Sequence, residues 1–293
     1  MYILQGKTMR YVLNDLGQVV SVYNKLTCHE YVYQPGDLWK LIYQEGERTE
    51  IPVVSTGQTF SANLDQNENK EPFLCLTYDG LHGDGRDLQV RLVLTLILSD
   101  EALSVYAELV NNDPSPMMEL QLTAVSGVRS LSGDHQKDAI AWPVDLGRRI
   151  PDPAYSDLSV YAGFRKYERH DQYHTDLNGL YPGRLSMQWY DWYNEGEGLY
   201  VGSHDPSHQS TCLHVERDVK QNILRMGVVR YPMLNQGERW QSAPLVYAVH
   251  TGDWHTGARI YRDWIENGGG WHTPDQPEWM IQFKGWLRVI LKQ

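Results

Sequence analysis

The feature that most constrains the fold is a long alternation of apolar residues near position 90. Every second position from 88 to 98 carries a large aliphatic side chain: Leu88, Val90, Leu92, Leu94, Leu96 and Leu98. In an extended strand these side chains share one face. A second alternation follows the turn at 99–101, with Leu103, Val105, Ala107 and Leu109. The two runs predict an antiparallel hairpin over 88–98 and 103–110 whose apolar face lies deep in a core.

Strand patterns separated by turn signals continue on both sides of this hairpin. We predict strands over 9–13, 18–23, 39–44, 49–54, 72–78, 117–128, 211–216, 222–229 and 242–249. One stretch has clear helical periodicity. Asp253 is a good N-cap residue, glycines at 268–270 end the pattern, and one face carries Trp254, Ala258, Tyr261, Trp264 and Ile265. The predicted fold class is all-β, a large antiparallel β-sandwich with one C-terminal helix.

Charge and cysteine usage exclude several classes of partner. The chain has 293 residues and a formal net charge of −11, and no run of Lys and Arg exceeds two residues. Nucleic acid and anionic membrane surfaces are therefore excluded as partners. The three cysteines, Cys28, Cys75 and Cys212, are far apart and form no disulfide framework. With no signal-peptide pattern or membrane-span pattern, we expect a cytoplasmic protein.

A second hairpin, over 181–205, concentrates aromatic residues around a Gly/Glu turn at 194–198. Alternation puts Trp189, Asp191 and Tyr193 on one face, and Tyr190 and Trp192 on the other. Flat rings beside charged and polar groups are typical of carbohydrate sites. The candidate substrate-binding residues are Arg184, Trp189, Tyr190, Asp191, Trp192, His204 and Asp205. The alternative is that half of these rings are core and the rest pack on another domain.

The sequence gives weaker evidence for catalytic residues and for a metal site. Glu195 and Glu197 lie in the turn and are expected to be solvated, so no catalytic carboxylate pair is assigned. Proton transfer at an anomeric carbon would need a histidine acid, for which His174 and His204 are the best-placed candidates. HDxxH occurs at 170–174 and 204–208, but Pro206 disfavours the helix that a zinc site of this spacing needs. No metal or cofactor is expected.

The segment 142–182 shows no sustained alternation and is expected to be irregular. Residues 271–277, which include TPDQP, indicate a linker, and the apolar run at 278–293 has no partner strands elsewhere in the sequence. We therefore expect 1–270 to form the sandwich and 278–293 to begin another, truncated unit.

Four segments together resemble a known family: VNND at 110–113, WPVDLGRRIPDP at 142–153, the aromatic hairpin at 181–205 and GDWHTGARIYRDW at 252–264. They are similar to the N-terminal galactose-mutarotase-like β-supersandwich that precedes a (β/α)₈ barrel in several bacterial glycoside hydrolases. The resemblance implies that 277–293 leads into the barrel, with 283–287 approaching its first strand. It also implies that the catalytic carboxylates lie in the barrel.

The resulting expectation is a non-catalytic sandwich domain that supports a (β/α)₈ catalytic domain in cis and lines the cleft for an oligosaccharide or glycoside. One alternative is a carbohydrate-binding or interdomain scaffold module with no hydrolase role. Another is an aldose 1-epimerase that acts alone.

Overall fold

The computed structural model describes residues 1–161, 174–269, 275 and 277–282. Its strands, in chain order, are β1 (Tyr2–Gln5), β2 (Met9–Leu13), β3 (Val19–Asn24), β4 (His29–Glu30), β5 (Trp39–Glu45), β6 (Arg48–Val54), β7 (Ser61–Gln66), β8 (Pro72–Gly83), β9 (Arg86–Leu98), β10 (Leu103–Asn111), β11 (Met117–Val128), β12 (Ala139–Trp142), β13 (Arg148–Pro151), β14 (His174–Tyr181), β15 (Trp189–Tyr193), β16 (Glu197–Ser203), β17 (Thr211–Asp218), β18 (Ile223–Arg230), β19 (Arg239–Gln241) and β20 (Leu245–Thr251). The helices are α1 (Trp254–Asn267) and α2 (Glu278–Ile281), with 3₁₀ turns at His135–Lys137 and Leu158–Tyr161.

These strands form three antiparallel sheets. The large sheet has ten strands, in the order β13-β12-β15-β16-β20-β10-β9-β8-β7, with β19 also paired to β10. The second sheet has six strands, in the order β14-β17-β18-β11-β5-β6, and the small sheet has four, β1-β2-β3-β4. The predicted all-β sandwich with a C-terminal helix is confirmed.

The leucine hairpin is the centre of the large sheet. β9 and β10 pair in the register that places Leu94 opposite Ala107 and Leu92 opposite Leu109. All four side chains are fully buried. The hairpin predicted from the alternation is confirmed, and its apolar face packs in the main core.

Tyrosines tie the large sheet to the second sheet across that core. The Tyr247 hydroxyl donates to the Met226 carbonyl at 2.9 Å and accepts from the Ala124 amide at 3.1 Å. The Tyr190 hydroxyl donates to the His214 carbonyl at 3.1 Å. Each ring thus fills apolar space while its polar end is hydrogen bonded, which a buried tyrosine requires.

Glu197 joins the small sheet to the large one. Its carboxylate, 2% exposed, accepts hydrogen bonds from Thr27 Oγ1 at 2.6 Å and from the Tyr31 hydroxyl at 2.8 Å. His29 Nδ1 also contacts it. The expectation that Glu197 is solvated is wrong, because residues far away in sequence supply the donors that make its burial possible.

The segment 142–182 is more regular than its sequence suggests. β12 and β13 form a hairpin at the edge of the large sheet, with a turn in which Asp145 and Gly147 have positive φ. β14 forms the edge of the second sheet, paired along its whole length with β17. β13 has only four residues, too few to show a clear alternation in the sequence. Residues 162–173 lie outside the described part of the chain.

Helix α1 packs on the outer face of the large sheet. The Asp253 side chain caps it by accepting a hydrogen bond from the His255 amide at 3.1 Å. Its apolar side packs Ala258, Tyr261, Trp264 and Ile265 against Trp189, Tyr200, Val246 and Ala248 of the sheet. Within the described residues, no helix is both long enough and apolar enough to cross a membrane.

Most residues of the predicted linker, 271–277, and of the predicted barrel start, 278–293, lie outside the described part of the chain. Of 271–277, residues 275 and 277 are described, and 283–293 are not. Residues 278–281 form the short helix α2, on which Trp279 is 64% exposed.

Candidate functional site

Polar side chains are concentrated on the outer face of the second sheet. Strands β14 and β17 alternate, so that Leu177, Leu213 and Val215 enter the core while their neighbours point the other way. We call this surface the polar face and define it by Asp176, Asn178, His214, Glu216 and Arg225. The first four of these residues are buried. Such a concentration of buried polar groups outside the core is the strongest sign of a site in the described chain.

A histidine and two carboxylates meet at the centre of the polar face. His214 Nε2 lies 3.4 Å from Asp176 Oδ2. One donor atom of each of Asp176, His214 and Glu216 lies within 4.8 Å of the others. The strand pairing produces this arrangement, since Asp176 faces Glu216 and Asn178 faces His214 across the β14–β17 ladder.

Two cations hold Glu216 in its ionised form. Lys40 Nζ lies 2.8 Å from Glu216 Oε2, and the Arg225 guanidinium contacts the other carboxylate oxygen. Burial opposes ionisation, but Lys40 and Arg225 outweigh it and hold the pKa of Glu216 well below its usual range. The side chains of Lys40 and Arg225 keep 23% and 22% of their surface exposed, so the two cations lie at the border between the buried cluster and solvent.

Several polar atoms of this cluster are left without hydrogen bonds. Within the described residues, Asp176 Oδ1, Asn178 Nδ2 and His214 Nδ1 are buried and have no partner. An unsatisfied buried polar atom costs about 1–3 kcal/mol, so three in one place are unfavourable for folding alone. Their presence favours a ligand that supplies the missing partners.

A metal ion fits this cluster poorly. The three donor groups are of the right type and close enough. However, Lys40 and Arg225 already occupy both oxygens of Glu216. A divalent cation there would lie beside two fixed positive charges. The cluster suits a hydrogen-bonding ligand better.

Two of the predicted sugar-binding rings are inside the core. Tyr190 and Trp192 are fully buried and belong to the main apolar cluster between the sheets. Burial puts them out of reach of a ligand. Tyr190 instead supports the polar face from below, because its hydroxyl holds the backbone carbonyls of His214 and Gly227.

Trp189 and Asp191 lie on the opposite face of the same strand, beneath helix α1. Asp191 is fully buried and paired with His250 at 3.0 Å. Trp189 is 4% exposed and stacks between Tyr200 and Tyr261, with ring centroids 5.9 and 6.1 Å away. The prediction that the hairpin carries rings on both faces is confirmed, but α1 and the core cover most of that surface.

His204 and Asp205 make structural contacts. His204 Nε2 lies 2.8 Å from the Tyr200 hydroxyl, and its imidazole stacks on Trp264 at 4.5 Å. Burial lowers the pKa of His204 to about 4. Asp205 accepts from the amides of Ser207 and Gln209 and so fixes its own loop.

The two histidines of the second HDxxH motif have different partners. His208 Nδ1 bonds to Gln188 at 2.9 Å, away from the contacts of His204. The motif lies in a loop, as predicted. Of the first motif, 170–173 lie outside the described residues, so His174 is described as the first residue of β14 without its side chain.

Arg184 lies beside an open cleft next to the aromatic hairpin. Its guanidinium is 3.3 Å from Asp145 Oδ2, in the β12–β13 turn. The cleft has a volume of about 570 Å³, and its wall includes Asp145, Arg148, Arg149, Trp189, Tyr193 and Trp254. We call it the Trp254 cleft. Trp189 is the predicted residue that the structure places in its wall.

Sequence reasoning missed Asp176, His214 and Glu216. Asp176 and His214 are 38 positions apart in the sequence, on different strands, and form no sequence motif. A signal was present within each strand: polar residues alternate with apolar ones in both Asp176-Leu177-Asn178 and His214-Val215-Glu216. Alternation shows that these residues face away from the core, but it does not show that they meet.

The strand architecture is that of the galactose-mutarotase-like β-sandwich fold. The sequence matches no protein-family model and no curated protein. Solved structures share the fold at low sequence identity. A galactose mutarotase-like protein from Lactobacillus casei superimposes with a TM-score of 0.52 at 12% identity, covering 85% of this chain and all of that chain.

Two further solved structures share this fold. A galactose mutarotase-like protein from Clostridium acetobutylicum gives a TM-score of 0.54 at 9% identity, covering 86% of this chain and 94% of that one. A GH36 alpha-galactosidase from Geobacillus stearothermophilus, solved with raffinose, gives 0.53 at 11% identity and covers 91% of this chain but 43% of the enzyme. The same sandwich thus occurs both as nearly a whole protein and as part of a longer hydrolase.

Proposed function

We propose that this chain is the saccharide-binding sandwich domain of a cytoplasmic glycoside hydrolase, with the polar face as its sugar site. One observation carries the proposal: Asp176, Asn178 and His214 each present a buried polar atom without a hydrogen-bond partner in the described chain. Sugar hydroxyl groups both donate and accept hydrogen bonds, so one saccharide would satisfy all three.

The chemistry of the cluster supports an uncharged sugar. Asp176 Oδ1 is an acceptor and Asn178 Nδ2 a donor, on adjacent outward positions of β14. The formal charges of Lys40 and Arg225 are balanced by the two acids of the cluster, Glu216 and Asp176, so the site offers hydrogen bonds without a strong excess of one charge.

The hydrolase context is supported from two directions. The alpha-galactosidase of Geobacillus stearothermophilus contains this fold within a longer chain. The four segments that resemble the family's sandwich domain imply that 277–293 leads into a (β/α)₈ barrel. In this proposal the barrel carries the catalytic carboxylates and the sandwich contributes to the saccharide cleft.

Saccharide binding is tested by calorimetry with galactose and raffinose. We expect Asp176→Asn and His214→Gln each to weaken binding about tenfold, which corresponds to roughly 1.4 kcal/mol. The matched control is Asp65→Asn, on the exposed edge strand β7, which should bind as the unmodified chain does. Equal affinity in all four proteins would contradict a sugar site on the polar face.

The hydrolase assignment needs a separate test. The reading frame beyond residue 293 is sequenced, and the complete polypeptide is assayed against α- and β-glycosides. An alternating β/α sequence pattern together with glycoside hydrolysis would support the hydrolase assignment. If no such pattern follows, the hydrolase assignment is wrong, whereas the proposed saccharide site is unaffected.

A second candidate function is anomer exchange, favoured by the 3.4 Å approach of His214 to Asp176. A carboxylate would take the proton of the anomeric hydroxyl while His214 gives one to the ring oxygen, and the ring C–O bond would break to the open-chain aldehyde. Reclosure on either face, with the protons returned, gives the other anomer.

Polarimetry with α-D-galactose tests this anomer exchange. His214→Gln should slow the rate by about a hundredfold or more, and a chain no faster than buffer would exclude it.

A further inference from the structure

The Trp254 cleft has the size and wall of a ligand site. Its volume of about 570 Å³ lies within the range of about 300–1,000 Å³ that small-molecule sites occupy. It opens on the outer face of the large sheet, between the β12–β13 turn and the first turn of α1, whereas the polar face belongs to the second sheet. The cleft is therefore distinct from the site of the proposed function.

Aromatic rings provide a stacking surface in this cleft. Trp254, the first residue of α1, is 38% exposed although it is a large apolar side chain. It stacks on His255 with ring centroids 4.0 Å apart, which limits its rotation. Tyr193 and Trp189 line the same cleft. Rings held in this way suit the apolar face of a pyranose.

Arginines give the cleft a charge opposite to that of the protein. Arg148 and Arg149 line it together with one carboxylate, Asp145. Arg148 lies 3.6 Å from that carboxylate, so the wall of the cleft holds two guanidinium groups and one acid. In a chain with a net charge of −11, such a local excess of guanidinium groups favours an anion, because the planar guanidinium matches carboxylate and phosphate geometry.

We infer that the Trp254 cleft is a second saccharide site, selective for sugars that carry an anionic group, a carboxylate or a phosphate. The sugar ring lies on Trp254, and the anionic group faces Arg148 and Arg149. Selective binding requires both the aromatic rings and the arginines. A neutral sugar would not pair with the arginines, and a small inorganic anion would not stack on Trp254.

The test compares methyl β-D-glucuronide with methyl β-D-glucoside, which differ at the C6 carboxylate, and adds glucose 6-phosphate. Calorimetry on this chain should show the glucuronide or the phosphate binding at least about tenfold more tightly than the glucoside. The preference for the anionic sugar over the glucoside should fall as the salt concentration rises, because Arg148 and Arg149 are exposed to solvent. Whichever anion binds more tightly identifies the natural group.

Matched variants locate the binding. Arg148→Gln, Arg149→Gln and Trp254→Ala change exposed side chains and should each weaken glucuronide binding about tenfold with an unchanged circular dichroism spectrum. Arg91→Gln, an exposed arginine elsewhere on the large sheet, is the control and should bind normally. Equal affinity for glucuronide and glucoside overturns the inference, and so does failure of all three ligands to bind at about 10 mM. A loss confined to Asp176→Asn would move the binding to the polar face and overturn it too.

Discussion

His250 Nε2 lies 3.0 Å from Asp191 Oδ1, and both side chains are buried between the large sheet and helix α1. Burial alone would lower the pKa of His250, but the hydrogen bond and charge of Asp191 outweigh it and raise that pKa. Burial raises the pKa of Asp191 in turn. Asp253, the cap of α1, adds a further negative charge near the pair. The pair therefore retains protons more strongly in the folded protein than in the unfolded chain.

Protonation of His250 should make folding more favourable at low pH. Because its folded pKa is raised above 6.5, its contribution is fully present below pH 6.5 and is lost as pH rises through the folded pKa. We expect the difference in free energy of unfolding between the unmodified chain and His250→Gln to shrink as pH rises above 6.5. Urea titrations at several pH values measure it. A pH-independent difference would be incompatible with this account.

His204 should respond with the opposite sign. Burial lowers its pKa from 6.5 to about 4, so its contribution is present above pH 6.5 and is lost as pH falls toward 4. His204→Phe keeps a ring on Trp264 but removes the titrating group. We expect this variant to lose less stability than the unmodified chain between about pH 6.5 and pH 4, as measured by thermal unfolding. Identical acid profiles would show that His204 does not titrate in this range.

Gly257 allows α1 to approach the buried pair. A Cβ at this position would lie 2.9 Å from Asp191 Cγ, which the His250 bond holds in place. Gly257→Ala should therefore destabilise the protein by about 1–2 kcal/mol, although alanine favours a helix by about 1 kcal/mol. In an Asp191→Ala background the same change should cost less, because the contact is gone. Equal costs in both backgrounds would place the strain elsewhere. Urea unfolding of the four proteins gives the comparison.

Asp113 should control stability in acid. Arg86 binds it through two hydrogen bonds of 3.1 Å, and the Ser115 and Gln89 amides also donate to it. Although burial opposes ionisation, these donors lower the pKa of Asp113 from 3.8 to about 2. Its contribution, roughly 2 kcal/mol, is present above pH 3.8 and is lost as pH falls through about 2. The Asp113→Asn variant should be less stable at neutral pH, and its free energy of unfolding should fall less steeply as the pH is lowered toward 2. An unchanged dependence of the free energy of unfolding on acid pH would refute this role.

Local periodicity predicted the elements whose two faces differ. Leu88–Leu98 alternate without a break, and the α1 stripe from Ala258 to Ile265 repeats at helical spacing, so each pattern specified both the element and its buried side. The pattern of the aromatic hairpin was ambiguous in one respect. It showed rings on both faces, but which neighbour covers Trp189 depends on α1, more than sixty positions later.

The candidate site depends on strand pairing, which periodicity does not specify. Asp176 and His214 meet because β14 and β17 pair in one register, and a shift of β14 by one residue would turn Asp176 toward the core and away from His214. Glu197 was misjudged for the same reason. It belongs to the Gly/Glu turn at 194–198, which indicates exposure, yet Thr27 and Tyr31, on either side of β4, donate hydrogen bonds to it.

The position of Glu197 makes the amino-terminal strands and the large sheet thermodynamically interdependent. If the amino-terminal strands detached, the Glu197 carboxyl group would lose its hydrogen bonds to Thr27 and Tyr31, and this loss opposes a partly detached intermediate. Removal of that segment should therefore lower the cooperativity of the whole sandwich instead of leaving a smaller domain intact.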